Sequence, residues 1–160
     1  MTAPLEIVIL EDNLERRTAM AARLSDRFPQ FALNFFHFPA EMISHLRRCS
    51  ERTLVIALDH DLDLVPNPDG SLTDPGTGMD VAAWLSTQTP FCPVVIHSTN
   101  IPAAKEMASR LRKAGWTTKR ITPYDDLEWI DAEWMTAVRQ FLLDHAVAAP
   151  EHTPAMSPIL

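Results

Sequence analysis

Five times along this chain a short run rich in β-branched or aromatic residues gives way to a longer segment with apolar residues at helical spacing, and few folds accept that alternation. The runs occupy residues 5–10, 31–38, 54–58, 93–97 and 117–122. Those at 5–10 and 54–58 are almost wholly apolar, as strands covered by helices on both faces must be. A sheet with one wet face would alternate instead. The helical segments carry Leu14, Ala21, Leu24 and Phe28; then Met42, Ile43 and Leu46; then Val81, Ala82 and Leu85. Ala104, Met107, Ala108 and Leu111 mark the fourth, and Ile130, Trp134, Val138, Phe141 and Leu142 the last. Asp12 and Asn13 suit a helix N-cap, Pro29 stops a helix, Pro39 starts one and Gly115 closes one. Parallel strands need such crossovers, and the crossovers are right-handed. The expectation is one α/β domain over residues 1–147: a doubly wound, five-stranded parallel sheet of order 2-1-3-4-5 with helices on both faces. Residues 148–160, rich in Pro, read as a C-terminal tail without a core of its own.

Charge narrows the partners. With 160 residues, a formal net charge of −7 and a pI near 5.3, the chain lacks the clustered Lys and Arg of an extended nucleic-acid groove or a membrane patch. A phosphate-containing small molecule or a nucleic-acid end needs only a local site. Cys49 and Cys92 have no metal-motif or redox spacing and read as buried, reduced thiols. The early apolar run at 7–10 is too short to span a bilayer, and no basic leader precedes it, so the expected location is cytoplasmic.

The polar residues fall where such a sheet binds ligands, outside the carboxyl ends of its strands. The first strand ends in Glu11-Asp12-Asn13, the third in Asp59-His60-Asp61 and the fourth in His97-Ser98-Thr99-Asn100. In the predicted order those strands are neighbours, so the clusters converge on one edge. Burying like charges costs several kcal/mol unless they are paired, protonated or metal-bound. Caps on the first helix and on the turn account for one acid per strand end, not for several converging. Glu11, Asp12, Asp59 and Asp61 are therefore candidate ligands of a divalent cation: their oxygens favour Mg²⁺, Mn²⁺ or Ca²⁺, the nearby histidines would also admit Zn²⁺ or Mn²⁺, and Mg²⁺ or Mn²⁺ is the expected ion. Most of the long loop 59–77, where much of the chain's Gly lies, follows directly.

These strand ends resemble those of the response-regulator receiver domain. The resemblance implies that Glu11 and Asp12 bind Mg²⁺ with Asp59, that Asp59 accepts a phosphoryl group and that Ser98 is the small hydroxyl residue at the end of strand four. At strand five, Arg120-Ile121-Thr122-Pro123 has Thr122 where a receiver carries Lys, with Arg120 two residues earlier. A more specific similarity lies in Leu58-Asp59-His60-Asp61-Leu62, Thr77-Gly78 and His97-Ser98-Thr99-Asn100, in that order. It identifies the chain as similar to the divergent cyclic-phosphate processing receiver domain family. Asp63 stands where that family usually has Gly. A homodimer through the fourth and fifth units, common among receivers, is the protein partner this resemblance allows.

Opening a cyclic phosphate needs an activated water, protonation of the leaving oxygen and stabilisation of phosphoryl charge. Asp59, His60 and His97 are the candidate catalytic residues, the two histidines because their ordinary pKa permits both acid and base roles. Ser98, Thr99, Asn100 and Arg120 are the candidate phosphate contacts. Neighbouring strand residues face opposite ways, so a regular strand cannot turn both His97 and Ser98 to the site. His37, His45, His145 and His152 read as surface residues. Two functions fit: a metal-assisted phosphoesterase-like enzyme, or a non-catalytic receiver-like module that senses a cation, phosphate or nucleotide and signals to a protein partner.

Overall fold

Each predicted run forms a strand, and each amphipathic stretch a helix, in the computed structural model, which describes residues 2–124 and 126–148. The order is β1 (Glu6–Leu10), α1 (Leu14–Arg27), β2 (Ala32–Phe36), α2 (Pro39–Cys49), β3 (Thr53–Leu58), β4 (Val65–Pro66), β5 (Leu72–Thr73), α3 (Gly78–Leu85), β6 (Val94–His97), α4 (Ile101–Lys113), β7 (Thr118–Ile121) and α5 (Met135–Ala148). The main sheet runs β2-β1-β3-β6-β7 with every pair parallel. Counting its five strands along the chain, this is the predicted order 2-1-3-4-5. The pair β4-β5 is a small antiparallel hairpin inside the stretch read as loop. It turns at Asn67-Pro68-Asp69-Gly70, where Gly70 N–H donates to the Asn67 carbonyl. The expected tail falls, from 149 on, outside the described residues, as does His152.

Strand alternation divides the core in two. Ile7, Ile9, Val55, Ala57 and Val95 pack with Met20, Leu24, Trp129, Trp134 and Val138 on the α1–α5 face. Val8, Leu10, Ile56, Leu58, Val94 and Ile96 pack with Met42, Leu46, Val81, Leu85, Met107 and Leu111 on the other. Covering both faces excludes water from the sheet, so the ends of its strands are the places where polar side chains collect. Leu14 departs from the expected helical stripe: it is 75% exposed, and α1 packs instead through Ala19, Met20 and Leu24. As the first residue after the Asn13 cap it lies on the side turned away from the sheet. His45 is another departure, half-buried and hydrogen-bonded to Glu6 rather than free at the surface.

A π-helical turn, Ile130–Trp134, precedes α5, and Met135 N–H donates to the Ile130 carbonyl five residues back. The wider turn brings Trp129 and Trp134 inward together, both fully buried. Between them they enclose His97, whose ring stacks on Trp129 at 5.7 Å and meets Trp134 edge-on at 6.2 Å. Among the described residues, no helix is long and apolar enough to cross a membrane.

Candidate functional site

The alternation that builds the core also selects the site. Continuing the parity of Ile7 and Ile9, Val55 and Ala57, and Val95 sends Glu11, Asp59 and His97 to the α1–α5 face of their three adjacent strands. His97 Nε2 lies 3.0 Å from Glu11 Oε2, and both side chains are fully buried. Glu11 Oε1 accepts the Asn13 N–H at 3.0 Å. Burial works against the Glu11 charge, but the His97 hydrogen bond and charge, the Asn13 N–H and Arg16 outweigh it and hold its carboxyl below the ordinary value.

Asp59 has the opposite balance. It is 5% exposed, and desolvation, aided by repulsion from Glu11, pushes its carboxyl up to about 7 against the pull of His97, the His60 N–H and Arg16. Asp12, half-buried, is also raised, first by desolvation and then by Glu11, although its Oδ2 accepts the Asp63 N–H at 2.6 Å. Asn13, not Asp12, caps α1, accepting from Arg16 N–H at 3.0 Å. Asp12 is thereby free of the capping role that would have explained it.

One carboxylate oxygen from each of Glu11, Asp12 and Asp59 lies within 4.8 Å of the other two. Three oxygen donors, two of them raised by burial and mutual repulsion, fit a hard divalent cation such as Mg²⁺ or Mn²⁺. Asp61, expected among these ligands, stands outside the group. Its Oδ1 is 2.7 Å from His60 Nδ1 and accepts from Asn100 Nδ2 at 3.4 Å. The His60 hydrogen bond holds the Asp61 carboxyl below its ordinary value, so Asp61 is an ionised partner that accepts from His60 Nδ1–H and orients the ring.

The histidines therefore divide. His60 directly follows Asp59 at the strand edge, its side chain 15% exposed. His97, expected to be catalytic, is sealed behind Glu11 and two indoles and can only position Glu11. It is the last residue of β6, and Ser98 follows beyond the strand, 2% exposed. Ser98 Oγ accepts the Asn100 N–H at 3.1 Å, and Asn100 Oδ1 caps α4 by accepting from Ala103 N–H at 3.2 Å. Thr99 is exposed in the turn between them.

Arg120, expected to contact phosphate, is exposed on the edge strand β7, lining a groove with Lys119, Glu133 and Gln140. The cation at the acids is Arg16, which the sequence reading missed: Nη1 lies 3.8 Å from Glu11 Oε2 and 3.6 Å from Asp59 Oδ2, with the guanidinium 5.5 Å from the Trp129 ring centroid. A signal for it existed. Arg16 occupies the first turn of α1, where the helix dipole disfavours a cation and a local acid must compensate.

Gly78 locks the loop that carries His60. Its N–H donates to the His60 carbonyl at 2.9 Å, and a Cβ there would lie 1.9 Å from the Asp59 carbonyl oxygen. Thr77 caps α3 in a capping box with Asp80, fixing the approach of that glycine.

Comparison with solved structures places this architecture among receivers. The phosphorylated cyanobacterial phytochrome response regulator RcpA matches at TM-score 0.66 and 18% identity over 89% of this chain and 96% of its own. A response regulator receiver domain from Rhodospirillum rubrum matches at TM-score 0.61 and 20% identity, covering 89% and 94%. The Vibrio cholerae chemotaxis protein CheY4 matches at TM-score 0.58 and 15% identity, covering 88% and 100%. No curated protein matches the sequence. Residues 7–113 match the sequence profile of the cyclic-phosphate processing receiver domain, a span that reaches from β1 through α4 and holds Glu11, Asp12, Arg16, Asp59, His60, Asp61, Gly78 and His97. The chain belongs to that family.

Proposed function

We propose that this receiver domain is a metal-assisted phosphoesterase-like enzyme acting on a cyclic or terminal phosphate. The observation that carries the reading is an oxygen-donor cage beside an oriented imidazole: Glu11, Asp12 and Asp59 group within 4.8 Å, and the next residue, His60, has Nδ1 held 2.7 Å from Asp61. Mg²⁺ or Mn²⁺ held by those three acids would stabilise negative charge on the phosphoryl group. His60 Nε2 takes the proton of an attacking water as its oxygen bonds to phosphorus. One ring P–O bond breaks, and the departing oxygen takes a proton from solvent. Arg16 balances charge at the acids, and the hydroxyls of Ser98 and Thr99 with the N-terminus of α4 favour an anionic ligand. A phosphate-containing small molecule or a nucleic-acid end is the substrate class this chemistry serves.

The deciding experiment is ³¹P NMR of the protein with 2′,3′- and 3′,5′-cyclic nucleotides in Mg²⁺, Mn²⁺ or EDTA. Ring opening is expected only with metal, and His60→Gln is expected to slow it on the order of a hundredfold. Arg16→Ala is expected to weaken inorganic phosphate binding roughly tenfold or more in calorimetry, whereas Arg120→Ala leaves it unchanged.

A second reading, a non-catalytic sensor, is favoured by one feature. The buried Glu11–His97 contact joins the acid cage to Trp129 and Trp134 ahead of α5. Absence of turnover, together with a metal- or phosphate-induced change in tryptophan fluorescence, would replace the enzyme with the sensor.

A further inference from the structure

A second cluster lies at the other end of the sheet. Glu6 opens β1, and His45 and Cys49, four residues apart, present neighbouring side chains on one face of α2. A carboxylate oxygen, an imidazole nitrogen and the Cys49 sulfur all lie within 4.8 Å of one another. We propose that Glu6, His45 and Cys49 form a zinc site, separate in place and in donor chemistry from the acid cage at the carboxyl end.

Glu6 is 2% exposed, and His45 is its only ion-pair partner among the described residues. Its Oε1 is 2.9 Å from His45 Nε2 and accepts from Thr53 Oγ1 at 3.1 Å, while Oε2 accepts from Asn34 Nδ2 at 2.7 Å. The register between β1 and β3 slips between Glu6 and Ile7, a local irregularity of the kind that re-aims a side chain. Cys49 Sγ accepts from Arg52 Nη2 at 2.9 Å. Thr53, Asn34 and Arg52 thus hold two of the donors from outside, as residues around a metal centre do.

The donor set selects the ion. Thiolate and imidazole with one carboxylate suit Zn²⁺, whereas Mg²⁺ requires oxygen. A thiolate and a carboxylate cancel the charge of Zn²⁺, so the ion and its three protein donors sum to no net charge. Binding forms the Zn–S bond and releases the Cys49 thiol proton to solvent. At ordinary zinc bond lengths tetrahedral donors stand roughly 3.3–3.7 Å apart, so the Glu6–His45 contact opens by about half an ångström. The fourth position is left to water.

Co²⁺ titration of the full chain tests this. A near-ultraviolet sulfur-to-cobalt charge-transfer band is expected to saturate at one equivalent. It should be displaced by one equivalent of Zn²⁺ and untouched by excess Mg²⁺. Cys49→Ser and His45→Gln should remove or sharply weaken the band, and Asp59→Asn should keep it, because the acid cage holds only oxygen. Near-ultraviolet circular dichroism checks that the variants keep their tertiary packing. In the same samples Zn²⁺ is expected to raise the melting temperature of the wild type and not of Cys49→Ser. No band in the wild type, or a band that survives Cys49→Ser, overturns the site. Either result leaves the phosphoesterase reading standing.

Discussion

Asp59→Asn is expected to stabilise the protein at neutral pH in EDTA, while abolishing the metal-dependent chemistry proposed for the site. The sign follows from proton counts. The Asp59 carboxyl sits at about 7 in the folded protein against an ordinary value of 3.8, raised first by desolvation. Between those values the folded state binds more protons than the unfolded state, so this group's contribution to stability falls as pH rises and reaches its full penalty above the folded value. The penalty is on the order of 4 kcal/mol, and asparagine, which cannot ionise, removes it. Asp12 is raised and adds a slope of the same sign, while Glu11 and Asp61 are lowered and oppose it. The difference between wild type and variant therefore isolates Asp59. Urea unfolding at several values from pH 4 to 8 in EDTA should show the two proteins diverging as pH rises. Mg²⁺ should close the gap by stabilising the wild type alone, and turnover in the variant should fall more than a thousandfold, because the cage loses an anionic ligand. Parallel stability curves for the two proteins would mean that Asp59 is ionised without penalty and that no cation is needed there.

The sequence disclosed the edge on which the site lies, because that follows from strand order and strand ends alone. It also contained the face. Once Ile7, Ile9, Val55, Ala57 and Val95 are given one side of the sheet, Glu11, Asp59 and His97 must share it. What was illegible depends on burial and on contacts across the chain. His97 reads as a catalyst from its position at a strand end, and it is excluded from that role by Trp129 and Trp134. A π-helical turn, which no periodicity announces, sets those two indoles over it. Arg16 is hidden from a reading guided by the receiver pattern, which puts the cation on strand five. Adjacency suggests that Asp61 acts with Asp59, but its carboxylate turns to His60. His45 and Glu6 lie 39 positions apart, beyond the reach of any local pattern.

Gly78→Ala is expected to cost about 3 kcal/mol or more and to disable the site, a loss out of proportion to the single methyl added. The methyl would stand 1.9 Å from the Asp59 carbonyl oxygen, 2.9 Å from its carbon and 3.1 Å from His60 Cα, all of them backbone atoms. Neither partner can yield easily. Asp59 N–H is tied to the Leu10 carbonyl at 3.0 Å within the sheet, and Gly78 N–H to the His60 carbonyl at 2.9 Å. Relief must come from moving the start of α3 outward or from rotating the Asp59–His60 peptide. Either motion displaces the carboxylate of the cage and the imidazole that follows it. Gly70→Ala provides the comparison. Gly70 has φ +86 in the hairpin turn, with nothing within 4 Å of an added Cβ, so its cost is about 1 kcal/mol of backbone strain and the site is untouched. Urea unfolding and Mg²⁺ titration of both variants separate a general glycine effect from contact at the site. Equal losses of stability in the two, with Mg²⁺ affinity retained in Gly78→Ala, would show that the close approach to Asp59 places no demand on the loop. A large loss confined to Gly78→Ala would identify the Thr77-Gly78 step as the element that fixes Asp59 and His60 in their working positions.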